Sequence, residues 1–239
     1  MLPSCQQFEA RATETFEVSA ADIQKLRCKT HNGRIELRGM AEADNVKVVV
    51  QKVVRASSQS KADDLLSELL ISRDVANGVL DLHVYFADGR RRPSGVSASY
   101  SITGPMDLVG SLETHNGAVV VSNCGDELDA ATHNGGIKVD GAYNRVALET
   151  HNGAIAVNFT GEGRVDGEIR THNGGVFVGF SDACSSKVDA STHNGGIRSE
   201  GPVEVLSVRK RSVKAQIGDG LGALSVTTHN GGVVLTRNR

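Results

Sequence analysis

The chain has 239 residues, 26 Lys+Arg against 28 Asp+Glu, a net charge of −2, no Trp, six Phe and three Tyr. The near balance of charge excludes the basic surface that nucleic-acid binding relies on, and no run approaches the ~18 apolar residues of a bilayer-spanning helix, so no membrane insertion is expected. With 27 Gly and only 4 Pro, the composition is that of a chain turning often between short strands.

Taken in chain order, residues 1–21 carry no apolar run behind a basic patch, so no signal peptide is read there and they are assigned to an N-terminal tail. Residues 22–107 form a capping region. Within it, Leu26, Cys28, Thr30, Ile35 and Leu37 share one parity around a first Thr-His-Asn-Gly, and residues 46–54 read as a strand. From Ser60 to Asp74 the period changes. Leu65, Leu66, Leu69 and Leu70 recur at helical spacing, which predicts one helix with Ser60 as N-cap and Asn77-Gly78 as its stop. Leu80, Leu82, Val84 and Phe86 alternate as a strand, and so do Val96, Ala98, Tyr100 and Ile102, with a Gly/Arg/Pro/Ser loop at 89–95 between them.

Residues 108–239 are governed by a repeat. Thr-His-Asn-Gly begins at Thr30, Thr114, Thr132, Thr150, Thr171, Thr192 and Thr228, and its histidines are seven of the eight in the chain. From His115 the spacings are 18, 18, 21, 21 and 36 residues, and 205–217 fit the longest gap as a degenerate unit that has lost the motif. Each unit has two runs of period-2 alternation around Asn-Gly, a turn dipeptide in which Gly is expected for positive φ. One unit of 18–21 residues cannot bury its own apolar face and must stack on the next. The pattern therefore predicts an all-β chain: a single-stranded β-solenoid of about seven rungs, ~4.8 Å apart, under an N-terminal cap containing one helix. A row of antiparallel Asn-Gly hairpins is the competing arrangement.

This pattern resembles the putative adhesin family, a bacterial-type domain of unknown function. The resemblance rests on the early strand–Asn-Gly–strand unit, on Ser99-Tyr100-Ser101-Ile102 leading to Pro105-Met106-Asp107-Leu108, and on the repeated Thr-x-Asn-Gly turns. It runs from Thr30 almost to the C-terminus and implies a β-solenoid with a non-enzymatic surface or scaffold role and no catalytic residues. The chain departs from the family in the uniform His of its motif and in lacking the signal or membrane helix of many relatives.

By parity each motif Thr points inward and each His outward. In-register rungs would set His115, His133, His151, His172 and His193 in an external column, a candidate for divalent transition metal or for a pH response, and also simply a stack that holds register. Charged neighbours in such a column repel, so acid is expected to weaken it. Asn116, Asn134, Asn152, Asn173 and Asn194 are expected to hydrogen-bond from rung to rung, with Gly117, Gly135, Gly153, Gly174 and Gly195 completing the structural turn. A calcium roll is excluded because only Gly135-Gly136-Ile137-Lys138-Val139-Asp140 approaches its consensus, and it lacks the third Gly. Glu162, Asp166, Glu168 and Asp182 show no pairing of the kind glycosidases use, and no phosphate-binding, dinucleotide or nucleophile motif occurs. No enzyme and no cofactor are expected.

The four cysteines, Cys5, Cys28, Cys124 and Cys184, lack metal spacing. Cys124 and Cys184 fall in comparable turns too distant for a disulfide, so free thiols are expected. That agrees with a cytoplasmic chain as it stands, or an extracytoplasmic one if Leu2-Pro3-Ser4-Cys5 is what remains of a processed N-terminus. The expected role is an interaction module presenting a regular face, including Lys138 and Arg198, to itself, to protein or to glycan. The basic runs at 90–92 and 209–211 are a second candidate for anionic partners.

Overall fold

The structure is a computed structural model that describes residues 7–89, 93–123, 125, 127–141 and 143–237. Cys5, Cys124, the arginines at 90–92 and the last two residues lie outside the described residues, and so do Leu2-Pro3-Ser4. The chain is all-β with one α-helix, and its strands lie in two large sheets. The first half contains β1 (Phe8–Ser19), β2 (Lys25–Asn32), β3 (Ile35–Met40), β4 (Asn45–Ala56), α1 (Gln59–Ser67), β5 (Leu69–Ala76), β6 (Val79–Phe86) and β7 (Val96–Pro105). The repeats follow as β8 (Val109–Asn116), β9 (Val119–Ser122), β10 (Glu127–Asn134), β11 (Ile137–Gly141), β12 (Arg145–Asn152), β13 (Ile155–Phe159), β14 (Gly163–Arg164), β15 (Asp166–Asn173) and β16 (Val176–Phe180). The chain closes with β17 (Cys184–Asn194), β18 (Ile197–Glu200), β19 (Glu204–Arg209), β20 (Ser212–Ile217), β21 (Ala223–Asn230) and β22 (Val233–Arg237).

Every motif unit gives one strand to each sheet. The strand before Asn-Gly joins a sheet ordered β19-β20-β17-β21-β15-β12-β10-β8-β2-β6-β5, and the strand after it joins one ordered β1-β4-β7-β3-β9-β11-β13-β16-β22-β18. Neighbouring units pair in parallel with identical positions opposed, Thr132 against Thr114 and Thr150, and Asn134 against Asn116 and Asn152. A row of hairpins would alternate direction, so that arrangement fails for the motif units. Between the sheets, Cys28, Leu112, Ala130, Leu148, Ile169, Val226 and Ala190 form a buried row in one sheet. Ile35, Val119, Ile137, Ile155, Val176 and Val233 form its counterpart in the other. Each such side chain contributes roughly 1.5–3 kcal/mol on burial, and this shared core is what a single unit lacks.

Several expectations are corrected. Residues 8–19, assigned to a tail, are the twelve-residue β1, antiparallel to β4. The helix is shorter than its leucine spacing suggests. Ser58, not Ser60, caps it by accepting from the Lys61 N–H, and Leu69 and Ile71 are buried strand residues of β5. Asn77 (φ 52°) and Gly78 (φ 74°) form the two-residue turn of the antiparallel β5–β6 hairpin rather than a helix stop. Residues 205–217 are no degenerate coil: β19 and β20 form an antiparallel hairpin, and β20 pairs antiparallel with β17. Finally, stacking order departs from chain order, because the last unit, β21–β22, lies between β15–β16 and β17–β18.

Candidate binding face

The motif builds its face from backbone contacts outward. From Thr114 onward each buried motif Thr hydroxyl donates to the carbonyl of a motif glycine in the neighbouring layer: Thr114 to Gly33 (3.0 Å), Thr132 to Gly117 (2.9 Å), Thr150 to Gly135 (2.9 Å), Thr171 to Gly153 (2.9 Å), Thr228 to Gly174 (2.8 Å) and Thr192 to Gly231 (2.8 Å), while Thr30 donates to the Ala98 carbonyl (2.9 Å). The same carbonyls explain the glycines. A Cβ at Gly117, Gly135, Gly153, Gly174 or Gly195 would sit 1.9–2.0 Å from the carbonyl oxygen of the glycine below. Positive φ, the expected reason, is found in this motif only at Gly33 (φ 140°). Close approach of backbones excludes a side chain at the others.

Beside the glycines the amides form one directional chain. Asn194 donates to Asn230 (2.9 Å), which donates to Asn173, Asn173 to Asn152, Asn152 to Asn134 and Asn134 to Asn116 (each 2.8 Å). Asn116 donates to Asn32 (2.7 Å), and Asn32 ends the chain on the Val96 carbonyl (3.0 Å). Each amide from Asn116 to Asn194 thus donates to its counterpart in the next layer, and all of these dipoles point the same way.

The seven motif imidazoles are exposed and stack in the order His31, His115, His133, His151, His172, His229, His193, with centroids 4.6–4.8 Å apart. From His133 to His193 the planes lie within 6° of parallel. The candidate residues His115, His133, His151, His172 and His193 are therefore brought together, and His31 and His229, left out of that set, belong with them. The motif itself was the signal that should have included both. This geometry is poor for chelation. Two nitrogens on one tetrahedral zinc lie ~3.4 Å apart with converging lone pairs, whereas parallel rings hold like nitrogens one stacking distance apart. Among the described residues, no three His, Cys, Asp or Glu side chains group as a metal site would.

At the cap end the column borders an open groove of about 1070 Å³ lined by Arg27, Lys29, His31, Asp81, His83 and Glu113, among others. Its charges are largely paired: Lys29 with Glu113 at 2.8 Å, Arg27 with Asp81 at 3.5 Å, and His83 Nδ1 with Asp81 at 3.2 Å. Such exposed pairs contribute little to stability. Lys138 and Arg198 lie on the other sheet, apart from the imidazoles, flanking a strip that includes the part-exposed Ala156, Phe177 and Val234.

The perturbed titrations lie away from this face. Hydrogen bonding from Arg164 holds the Asp166 carboxyl below its ordinary range, with the Ala223 N–H helping and burial opposing. Glu9 is lowered likewise by Arg11 and Arg55. Burial pushes the Cys28 thiol well up, with the Asp81 charge adding to it. Cys184, expected in a turn, is a buried free thiol at the start of β17, 3.3 Å from the Gly161 carbonyl. Three of the candidate carboxylates make separate contacts, Asp166 with Arg164, Glu168 with Arg170 and Asp182 with Arg237, and Glu162 is exposed in the turn before β14.

No family model matches the chain, and no curated protein does. Among solved structures, a putative cell adhesion protein from Clostridium sporogenes matches over 96% of this chain and 100% of its own, at 14% identity and a TM-score of 0.54. At that identity the likeness is one of fold. Putative adhesins from Parabacteroides distasonis (12% identity, TM-score 0.41, covering 94% of this chain and 97% of that one) and Bacteroides fragilis (10%, 0.37, 95% and 97%) are more distant.

Proposed function

We propose that the chain is a non-enzymatic interaction module of the adhesin type, a β-solenoid of seven motif coils whose His/Asn face docks on an extended partner, with glycan or protein surface as the partner class. One observation carries this reading: seven copies of the same polar set stand in register on one exposed face, at a fixed 4.6–4.8 Å ring repeat. Turnover calls for a few unlike groups converging on one reacting atom, whereas a face of like groups suits repeated weak contacts along a polymer, where linked contacts raise avidity. The name of the Clostridium structure supports the adhesin type. The stack then serves two purposes at once, holding rung register and displaying imidazole edges.

Glycan and protein arrays probed with the purified chain test this. The expected result is saturable binding, lost in His133→Ala/His151→Ala with the fold retained and kept in Lys138→Ala/Arg198→Ala on the other sheet. Binding lost only in the second variant would move the site to that sheet, and catalytic consumption of a bound glycan would overturn the non-enzymatic reading.

A further inference from the structure

The two sheets do not end together. The motif-trailing sheet stops at β18, while the other continues beyond β17 through β20 to β19. Among the described residues, the inner side of β19 therefore has no strand opposite it. Val213 on β20 is still 7% exposed, but on β19 Val205 is 40%, Leu206 52% and Val208 71% exposed. Among the described residues β19 is also an edge strand, hydrogen-bonded on one side, to β20. Bare, partly apolar edges of this kind pair readily with another strand.

The sequence of β19, Glu204-Val205-Leu206-Ser207-Val208-Arg209, reads as its own complement when reversed. Laid antiparallel on a second copy, Glu204 faces Arg209 and Val205 faces Val208, each pair occurring twice about a two-fold axis. The bulge between Val205 and Ser207 does not spoil this register, because each strand then has Leu206 and Ser207 between its two valines. It also puts both valines on one side: their partners on β20, Ala215 and Val213, both point into the core.

We propose that the chain forms a two-fold dimer through antiparallel β19–β19 pairing, joining the β19-edged sheets of two copies into one. A closed, isologous contact of this type ends at two copies and does not propagate into fibres. The opposed Glu204 and Arg209 select the chain's own copy over an arbitrary extended peptide, and a like-charge register is disfavoured. This inference is independent of what the His/Asn face binds.

Sedimentation velocity over a concentration series should show a reversible monomer–dimer equilibrium. Val208→Lys, at a position already 71% exposed and therefore tolerated by the fold, should raise the dissociation constant at least about tenfold. Glu204→Arg should do likewise, and Glu204→Arg combined with Arg209→Glu should restore dimerisation. Register is tested by cross-linking. A mixture of Val205→Cys and Val208→Cys chains should form an intermolecular disulfide, since opposed Cα atoms lie ~4.5–5.5 Å apart. Either variant alone should not exceed the background of the unmodified chain, because with the bulge like positions lie two ladder steps, ~7 Å, apart along the strand and ~8 Å apart once the gap between strands is included, beyond the reach of a disulfide. A monomer at every concentration, a dimer indifferent to Val208→Lys, failure of the double reversal, or cross-linking as strong within one variant as in the mixture would each overturn the proposal.

Discussion

A single added methyl group tests how the units pack. Alanine at Gly153 would place its Cβ 1.9 Å from the Gly135 oxygen, where an ordinary contact begins near 3.4 Å, so that carbonyl must retreat by about 1.5 Å. The carbonyl is not free to move: it accepts from Thr150 at 2.9 Å, and the N–H of the same glycine donates to Asn152 at 3.0 Å. Losing these two bonds costs about 1 kcal/mol each net, more if the buried Thr hydroxyl stays unsatisfied, and overpacking adds about 1–3 kcal/mol. Gly153→Ala should therefore destabilise by about 3–5 kcal/mol. The control is the next turn position, taken in the following unit. At Gly175 a Cβ meets nothing nearer than 3.6 Å, and the equivalent position is Ala in two other units, Ala118 and Ala154. Gly175→Ala should stay within about 0.5 kcal/mol of the parent. Urea unfolding with an unchanged m-value, checked by calorimetry, separates the two variants. At ~2–4 °C per kcal/mol for a chain of this size, Gly153→Ala should lower Tm by roughly 6–20 °C. Equal stability of the two variants would refute the packing argument.

Other perturbations act on the same layers. Asn152→Asp puts an acceptor against the Asn134 oxygen that Asn152 donates to at 2.8 Å, so at pH 7 it should cost more than Asn152→Ala, and the order should reverse near pH 3, where the carboxyl regains a proton to donate; unfolding curves at the two pH values decide it. Asp166 has a lowered folded pKa, so its stabilisation is present above the unfolded carboxylate value of ~3.9 and lost as pH falls through the folded one; Asp166→Asn should therefore show a shallower loss of stability below about pH 4 than the parent. Isothermal titration with zinc should give no saturable sub-micromolar site, and such a site abolished by His133→Ala/His151→Ala would show that the rings reorient to chelate.

Much of this architecture was legible because the motif carries two periods at once. Alternation within a unit marks which side chains face inward, so Thr132 and Leu128 were assignable to the core from parity alone, and the recurrence of His and Asn marked the face. The reason for each glycine was less accessible. Asn77-Gly78 and Asn152-Gly153 are the same dipeptide, yet the first turns a hairpin with positive φ at both residues and the second supports close approach of parallel layers. Only the neighbour across the turn distinguishes them. Strand β1 gives a weak signal for a related reason: its inward parity runs Ala10, Ala12, Glu14, Phe16, Val18, so small and charged residues interrupt the apolar alternation, only Ala10 among them is fully buried, and its partner β4 supplies Val46, Val48 and Val50. Likewise Leu65, Leu66, Leu69 and Leu70 match a helical period by coincidence of two elements, since α1 ends at Ser67 and Leu69 begins the alternation of β5.

The stacking order at the C-terminal end exposes a deeper limit. Because each unit offers the same Thr hydroxyl, Gly carbonyl and Asn amide above and below, any unit can lie on any other with nearly the same contacts, and the motif holds no record of which neighbour it meets. The order is decided outside the motif. β20 occupies the outer side of β17 by antiparallel pairing of Ser186–Ser191 with Ser212–Ile217, which closes that side to a further parallel unit. The last unit then finds its place on the other side of β17, between it and β15, where Thr228 reaches Gly174 and Gly231 receives Thr192. The 36-residue spacing from His193 to His229 is the trace this leaves in the sequence. The extra length is what a hairpin needs to turn back over β17. The interrupted repeat is thus the element that terminates the stack and leaves β19 as its edge.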